Sequence, residues 1–394
     1  MNKDILKTGP QEFIKNNWST DILSLLLKKP VFSNISQKEL AAQLEAKKKC
    51  QFKLPTWFGT PNIYYPNKIN IEQTSSEITA KYKAQLVGGK SLLDMTAGFG
   101  VDSFYFSKTI NRVTHCEMDQ DLSKIASHNF KILGIDNCDF VFGNGLEFLK
   151  NTTEKFDWIY IDPSRRHDVK GKVFRLEDCE PDILQNFDLI LDHSNAVLIK
   201  TSPLLDLSLA VQKLKNVSEI HVVAVQNEVK ELLFMVTPKD KNPIKIKTVD
   251  LRKEREAYFE FLWDQEKTTE VAYGNPEEYL YEPNAAILKA GAFNTVGKQF
   301  GLKKIAPHSH LYTSKDLIAF PGRTFKIQQV LPFQKKSMKA FAKTKANITT
   351  RNFPETVAKI REKNKILNGG QDYLFFTTNT NGKRVVMRCK KEQG

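Results

Sequence analysis

Between residues 92 and 104 the chain reads LLDMTAGFGVDSF, an apolar run ending in a carboxylate, Asp94, and passing two glycines, Gly98 and Gly100, into a helical segment. Glycines in such a turn let the backbone approach a ligand closely and take angles that other residues avoid. The helix behind them presents free N–H groups to the same ligand. A second apolar run ends at Glu117 in THCEMD, where a carboxylate can accept both ribose hydroxyls of an adenosine. A third leads into Gly143-Asn144-Gly145-Leu146, and Asn144 there can hydrogen-bond an adenine edge. A fourth leads into Asp162-Pro163-Ser164-Arg165-Arg166, at the strand end where open α/β sheets bind their ligands.

Two nucleoside ligands compete for such a motif. A dinucleotide fingerprint needs a third glycine, and here the run is Gly98-Phe99-Gly100-Val101-Asp102-Ser103. Asp94, immediately upstream, would also repel a pyrophosphate, whereas it suits a cationic ligand with an amino-acid end. The expected cofactor is therefore S-adenosylmethionine. Its expected contacts are Asp94, Thr96, Ala97, Gly98, Gly100, Asp102, Glu117, Met118 and Asn144. Just before the first run, Thr74-Ser75-Ser76-Glu77 has the pattern of a capping box opening a helix. Similar enzymes place such a helix start against the methionine end of the cofactor, so Ser75 and Ser76, with Thr74 and the helix N-terminus, are expected to take its carboxylate; the alternative is an ordinary capped helix.

Transfer of a methyl group from a sulfonium to an amine lone pair needs orientation more than a strong base. Asp162 and the Pro163 backbone are the expected orienting groups, with Arg165 and Arg166 holding nucleic acid. Enzymes that methylate exocyclic amines usually follow Asp/Asn-Pro-Pro with an aromatic residue that stacks on the flipped base. Here Ser164-Arg165-Arg166 stands in that place. Arginine planes stack on bases and also clamp phosphate, and internal pairing with Asp168, Glu177, Asp178 or Glu180 is the structural alternative. Lys200, ending an apolar run, could face the active site or merely neutralise nearby carboxylates. His167 could relay a proton or be simply solvated. The loop aromatics Trp57, Tyr64 and Tyr65 could stack on bases or anchor their loop to a core.

These residues need a frame. The apolar runs 91–95, 112–118, 138–142, 157–162 and 196–201 alternate with helical segments, the pattern of a parallel sheet covered on both faces. The runs 219–225 and 231–237 are too close for a crossover helix and should form an antiparallel hairpin. The fold class is thus α/β: a Rossmann-like sheet of five parallel strands plus a hairpin, with N-terminal helices and C-terminal α+β domains. The expected divisions are 1–87 (helical), 88–240 (catalytic), 241–319 (small α+β) and 320–394 (basic α+β). In the third a single helix is expected over 284–300. In the fourth, Asn381-Gly382 marks a hairpin.

Charge divides along the chain. From residue 320 onward there are 17 Lys+Arg against 4 Asp+Glu, or +13, whereas residues 86–240 hold 17 against 23, or −6. A basic module beside an acidic catalytic one suggests a polyanion held by the first and processed by the second. The five cysteines (50, 116, 138, 179 and 389) have neither zinc-ligand spacing nor a disulfide pattern, so no metal is expected. Without an apolar leader or a membrane-length run, a cytoplasmic location is expected.

Together LLDMTAGFGVD, THCEMD, YIDPSRR and IKTSPLLD, with GGQDYLFFTT near the end, resemble a bacterial group of class I S-adenosylmethionine-dependent methyltransferases carrying a ferredoxin-like insert and a C-terminal THUMP-like domain. The resemblance covers most of the chain and implies structured RNA, ribosomal or transfer, as the partner of the basic domain. Two other readings stand beside it: a non-catalytic RNA-binding protein with a degenerate methyltransferase domain, and a small-molecule methyltransferase.

Overall fold

The computed structural model describes residues 1–165, 175–238, 242–252 and 255–392. The chain divides into two compact units, Met1–Val217 with Leu233–Lys241, and Ser218–Leu232 with Asn242–Gly394.

The first unit opens with helices. The longest, Gln37–Lys53, starts at Ser36, whose hydroxyl accepts the Glu39 N–H while the Glu39 carboxylate accepts the Ser36 N–H. It buries Leu40, Leu44 and Cys50 along one stripe. The capping box expected at Thr74 does not form. Thr74 ends the preceding helix, Lys68–Gln73, and Ser76 caps the helix Glu77–Leu86 alone, accepting the Thr79 N–H. Glu77 turns instead to Thr56 and Tyr105.

The sheet of this unit is built from β1 (Gly89–Asp94), β2 (Ile110–Glu117), β3 (Cys138–Phe142), β4 (Phe156–Ile161), β7 (Ser194–Thr201) and the end of β9 (Glu228–Val236); between β4 and β7 lie the short β5 (Ser164–Arg165) and β6 (Cys179–Glu180). Its order is β3-β2-β1-β4-β7-β9, and the first five are parallel. Helices on both sides leave the central strands almost without solvent: Leu92, Leu93, Ile159, Val197, Leu198 and Ile199 are fully buried. That is why these runs are uniformly apolar rather than alternating. The order reverses between β1 and β4, so the carboxyl ends of β1, β2 and β4 border a crevice, the usual ligand position in such sheets. β8 (Val217–Val225) and β9 form the expected hairpin. Its turn is only Gln226-Asn227, both with left-handed backbones (φ 51 and 64), the geometry a two-residue hairpin demands.

In the second unit β10 (Lys245–Leu251) lies parallel to β8, and β11 (Ala257–Leu262) antiparallel to β10. The remaining strands are β12 (Tyr279–Pro283), β13 (Lys303–Lys304), β14 (Tyr312–Ser314), β15 (Gly322–Pro332), β16 (Lys345–Thr350), β17 (Leu367–Asn368), β18 (Asp372–Thr378) and β19 (Arg384–Lys391). They form one sheet of order β13-β14-β12-β15-β19-β18-β16-β17. Backbone pairing thus runs across the expected divisions at 241 and 320. β10 and β11 extend β8, while β12–β14 share a sheet with β15–β19. One apolar cluster (Leu280, Leu311, Phe325, Phe375, Met387) spans the position of the second division. The helix expected over 284–300 is two helices, Ala285–Ala290 and Thr295–Gln299, because Gly291 takes φ +76 and ends the first. The β18–β19 connection spans residues 379–383, with Gly382 at φ +71 and the Asn379 side chain accepting from Asn381 and Lys383 N–H.

Candidate active site

Asp94 ends β1 almost fully buried, accepting from the Ser103 hydroxyl at 2.6 Å and the Thr96 N–H at 3.2 Å. Burial, with Asp102 and Asp162 nearby, pushes its carboxyl up to about 8 against the pull of those hydrogen bonds. A cation beside it would draw it back toward the ionised form. The turn that follows is bound to its neighbours through the backbone: Met95 N–H to Tyr160 C=O, and Ala97 N–H to Cys116 C=O. Gly98 (φ +58) sends its N–H to the Glu117 carboxylate at 2.8 Å. The other Glu117 oxygen accepts the Asp119 N–H at 2.7 Å, so the carboxylate at the end of β2 is aimed by two backbone donors. Gly100 has φ +85, and a Cβ there would fall 2.9 Å from the Phe130 ring. No other residue fits that turn.

Met118 is 60% exposed beside Glu117, and its sulfur accepts from Asn144 Nδ2 at 3.8 Å. Asn144 Oδ1 caps the helix Gly145–Asn151 through the Leu146 and Glu147 N–H groups. That leaves its amide NH2 as the group facing Met118. Gly145, not singled out in the sequence, sits where a Cβ would strike the Met95 carbonyl at 2.8 Å. The structure thus brings Asp94, Thr96, Ala97, Gly98, Gly100, Glu117, Met118 and Asn144 to one edge.

Ser75 and Asp102 belong to a buried network behind that edge. Asp102 Oδ2 accepts from the Ser75 hydroxyl at 2.7 Å and the Tyr160 hydroxyl at 2.9 Å. Lys83, wholly buried, donates to Ser75 at 3.0 Å and lies 3.2 Å from Asp102 Oδ1. Burial alone would raise the Asp102 carboxyl; Lys83, Lys200 and the two hydroxyls outweigh it and hold it below the ordinary value. The Ser75 and Ser76 hydroxyls are therefore engaged internally, one on Asp102 and one as a helix cap. Lys83, Tyr160 and Ser103 escaped sequence reading. The only signal was periodicity: Ser103 enters the helix Val101–Phe106, and Lys83 lies two turns past Ser76.

Asp162 follows β4, its N–H donating to Thr96 Oγ1 at 2.7 Å. Its carboxylate pairs with Lys200 at the end of β7. β4 and β7 run in register, Ile161 opposite Ile199, so the next residues of each strand fall side by side. Lys53, half-buried, donates to the Glu72 carbonyl at 2.7 Å and is lowered to about 8 by burial and by the charge of Lys200. Pro163 is buried, and Ser164-Arg165 pairs with Cys179-Glu180 as a short ribbon. Arg165 is 3.9 Å from Asp178, so it has an internal carboxylate partner as in the structural alternative. Arg166, with His167 and Asp168, lies outside the described residues.

Of the two readings of the loop aromatics, anchoring is the one the structure bears out. Trp57 is buried against Phe104, with ring centroids 4.8 Å apart. Tyr65 donates to the Trp57 carbonyl, and the Tyr64 backbone exchanges hydrogen bonds with Asn129. They anchor their loop. All five cysteines are free, and among the described residues no cluster of three or more His, Cys, Asp or Glu could hold a metal. No helix of the described residues is long and apolar enough to cross a membrane.

With this geometry in view, comparison with known proteins is specific. Residues 279–321 match a ferredoxin-like domain and residues 322–391 a THUMP-like domain. The crystal structure of a candidate methyltransferase from Porphyromonas gingivalis W83 is 32% identical, covers 99% of both chains and superposes with a TM-score of 0.89. Two curated proteins named as uncharacterised RNA methyltransferases are also similar. The one from Thermotoga maritima is 27% identical over 154 residues, 36% of this chain and 35% of its own length. The one from Clostridium acetobutylicum is 30% identical over 79 residues, 20% of this chain and 17% of its own. The chain thus spans about a third or less of the curated relatives it matches. On a β3-β2-β1-β4-β7 sheet, with those two matched domains and an end-to-end likeness to the Porphyromonas protein, the chain belongs to the bacterial class I methyltransferase family that carries a ferredoxin-like segment and a THUMP-like domain.

Proposed function

We propose that this methyltransferase uses S-adenosylmethionine to methylate RNA, ribosomal or transfer, at a base nitrogen in the cytoplasm. The observation that carries the reading is the edge formed by β1, β2 and β4. There a buried Asp94 suits a cationic ligand end, and an aimed Glu117 suits ribose hydroxyls. Asp162 stands on the adjoining strand end, where an acceptor would meet the methyl group. Met118 and the Asn144 amide would flank the adenine; Thr96, Ala97, Gly98 and Gly100 would cradle the amino-acid end. Because the Ser75 and Ser76 hydroxyls are engaged, they would contribute by holding Asp102 and the helix start rather than by direct donation. When bound, the cofactor supplies an electrophilic methyl carbon. The chain's part is to exclude dinucleotides and to orient the acceptor through Asp162 and the Pro163 carbonyl. Arg165, with its carboxylate partner, would frame the loop, leaving Arg166 as the arginine for phosphate. The +13 of residues 320–394 supports a polyanionic partner. That is the feature a small-molecule methyltransferase leaves unexplained.

The test is calorimetry with S-adenosylhomocysteine and NADH, followed by transfer of labelled methyl groups to total RNA from a strain lacking the gene. Heat from S-adenosylhomocysteine alone, and label in a methylated base, are expected. Heat from NADH instead would overturn the cofactor assignment, and cofactor binding without label in RNA would overturn the substrate.

A further inference from the structure

We propose that Lys200 is a positioning residue for methyl transfer, holding one oxygen of Asp162 so that the other faces the acceptor nitrogen. The inference rests on the reading above and deepens it at the same site. β4 and β7 are adjacent and parallel with Ile161 opposite Ile199, so the register itself delivers Lys200 to Asp162. The ammonium donates to Asp162 Oδ2, and the Asp162 backbone is separately held by Thr96 Oγ1 at 2.7 Å. The peptide and one carboxylate oxygen are thus both fixed. The Asp162 side chain is 31% exposed and that of Lys200 only 14%, so within the pair the carboxylate is the end offered to an incoming ligand.

The alternative is that Lys200 only offsets the negative charge of Asp94, Asp102 and Asp162. The distribution of cations argues against it. Lys200 also helps hold Asp102 low, but Lys83 already lies 3.2 Å from that carboxylate, and the carboxylate to which Lys200 donates is Asp162, whose side chain is 31% exposed. During transfer the acceptor nitrogen's lone pair forms the new C–N bond as the C–S bond breaks and its electrons stay on sulfur. The displaced N–H proton leaves to water. An acceptor N–H bonded to Asp162 has its lone pair aimed only if that carboxylate has a single orientation. A carboxylate free to rotate loses that alignment, and misplacement by about 1 Å costs roughly a hundredfold in rate.

The experiment uses the full chain, labelled S-adenosylmethionine and total RNA from a strain lacking the gene. The variants are Lys200→Met, Lys200→Arg, Asp162→Asn and the Lys200→Met/Asp162→Asn double variant. Lys200→Met should lower kcat by roughly a hundredfold while KM for RNA, S-adenosylhomocysteine affinity by calorimetry and melting temperature stay close to those of the parent. Lys200→Arg should recover most of the rate. In the Asp162→Asn background Lys200→Met should change nothing further, because a residue acting through another is non-additive with it. Equal losses in both backgrounds, a change confined to KM, or a rate loss explained by unfolding would each overturn the inference. Full turnover by Lys200→Met overturns the inference but leaves the RNA reading intact; no transfer to RNA by the parent overturns both.

Discussion

Replacing Asp94 by asparagine should make the protein more stable and a weaker binder. Asp94 is raised from 3.8 to about 8, chiefly by burial. At 1.36 kcal/mol per pH unit, ionising it costs on the order of 6 kcal/mol more in the folded protein than in the unfolded chain. A raised carboxyl means that the folded state holds its proton more tightly than the unfolded state between pH 4 and 8. Stability therefore falls as pH rises through that window. An asparagine carries no such proton, and the two present hydrogen bonds can be kept. Its Oδ1 accepts the Thr96 N–H, and the Ser103 hydroxyl turns from donor to acceptor. The melting temperature of Asp94→Asn should thus exceed that of the parent by a margin that widens from pH 5 to pH 8, as scanning calorimetry would read. A cationic ligand requires the ionised carboxylate, so parental affinity for S-adenosylmethionine should climb over the same interval. The variant should be pH-independent there and weaker by roughly ten- to a hundredfold, since one charge-assisted hydrogen bond is worth about 1.5–3 kcal/mol. A variant equally destabilised at every pH, with unchanged ligand affinity, would refute the reasoning and make Asp94 a purely structural carboxylate.

Two further outcomes are expected. Arg165→Ala should lower the melting temperature by a few degrees, since its guanidinium lies 3.9 Å from Asp178 within a two-strand ribbon, and should leave RNA affinity per folded molecule unchanged; a selective loss of RNA binding in a filter assay would instead make Arg165 a substrate contact. Changing the exposed Lys335, Lys336, Lys339 and Lys359 together to glutamine should weaken RNA binding and flatten its log–log salt dependence by roughly 0.7 for each phosphate no longer neutralised, whereas an unchanged slope would show the basic surface to be only solvating.

Local chemistry made much of this protein readable in advance. The five parallel strands were visible because both faces of each are covered, which forces apolar runs without alternation. The Gly98–Gly100 turn and the carboxylates of Asp94 and Glu117 were visible because a tight strand-to-helix turn restricts residue type within a few positions and both carboxylates close apolar runs.

The tertiary structure decided what depends on distant partners. Glu77 fitted a capping box with Thr74 on spacing alone, but the donors its carboxylate satisfies come from Thr56 and Tyr105. Trp57, Tyr64 and Tyr65 had the composition of a base-stacking loop, and only packing against Phe104 and Asn129 shows them buried. The division at 320 followed charge, which is a surface property, while the sheet follows backbone pairing and joins β12 to β15. A chain cut at 319 would therefore strip β12 of a partner strand. Lys200 was ambiguous for the same physical reason. Its partner, Asp162, lies 38 residues away in sequence, and only the register of two parallel strands brings the ammonium and the carboxylate together.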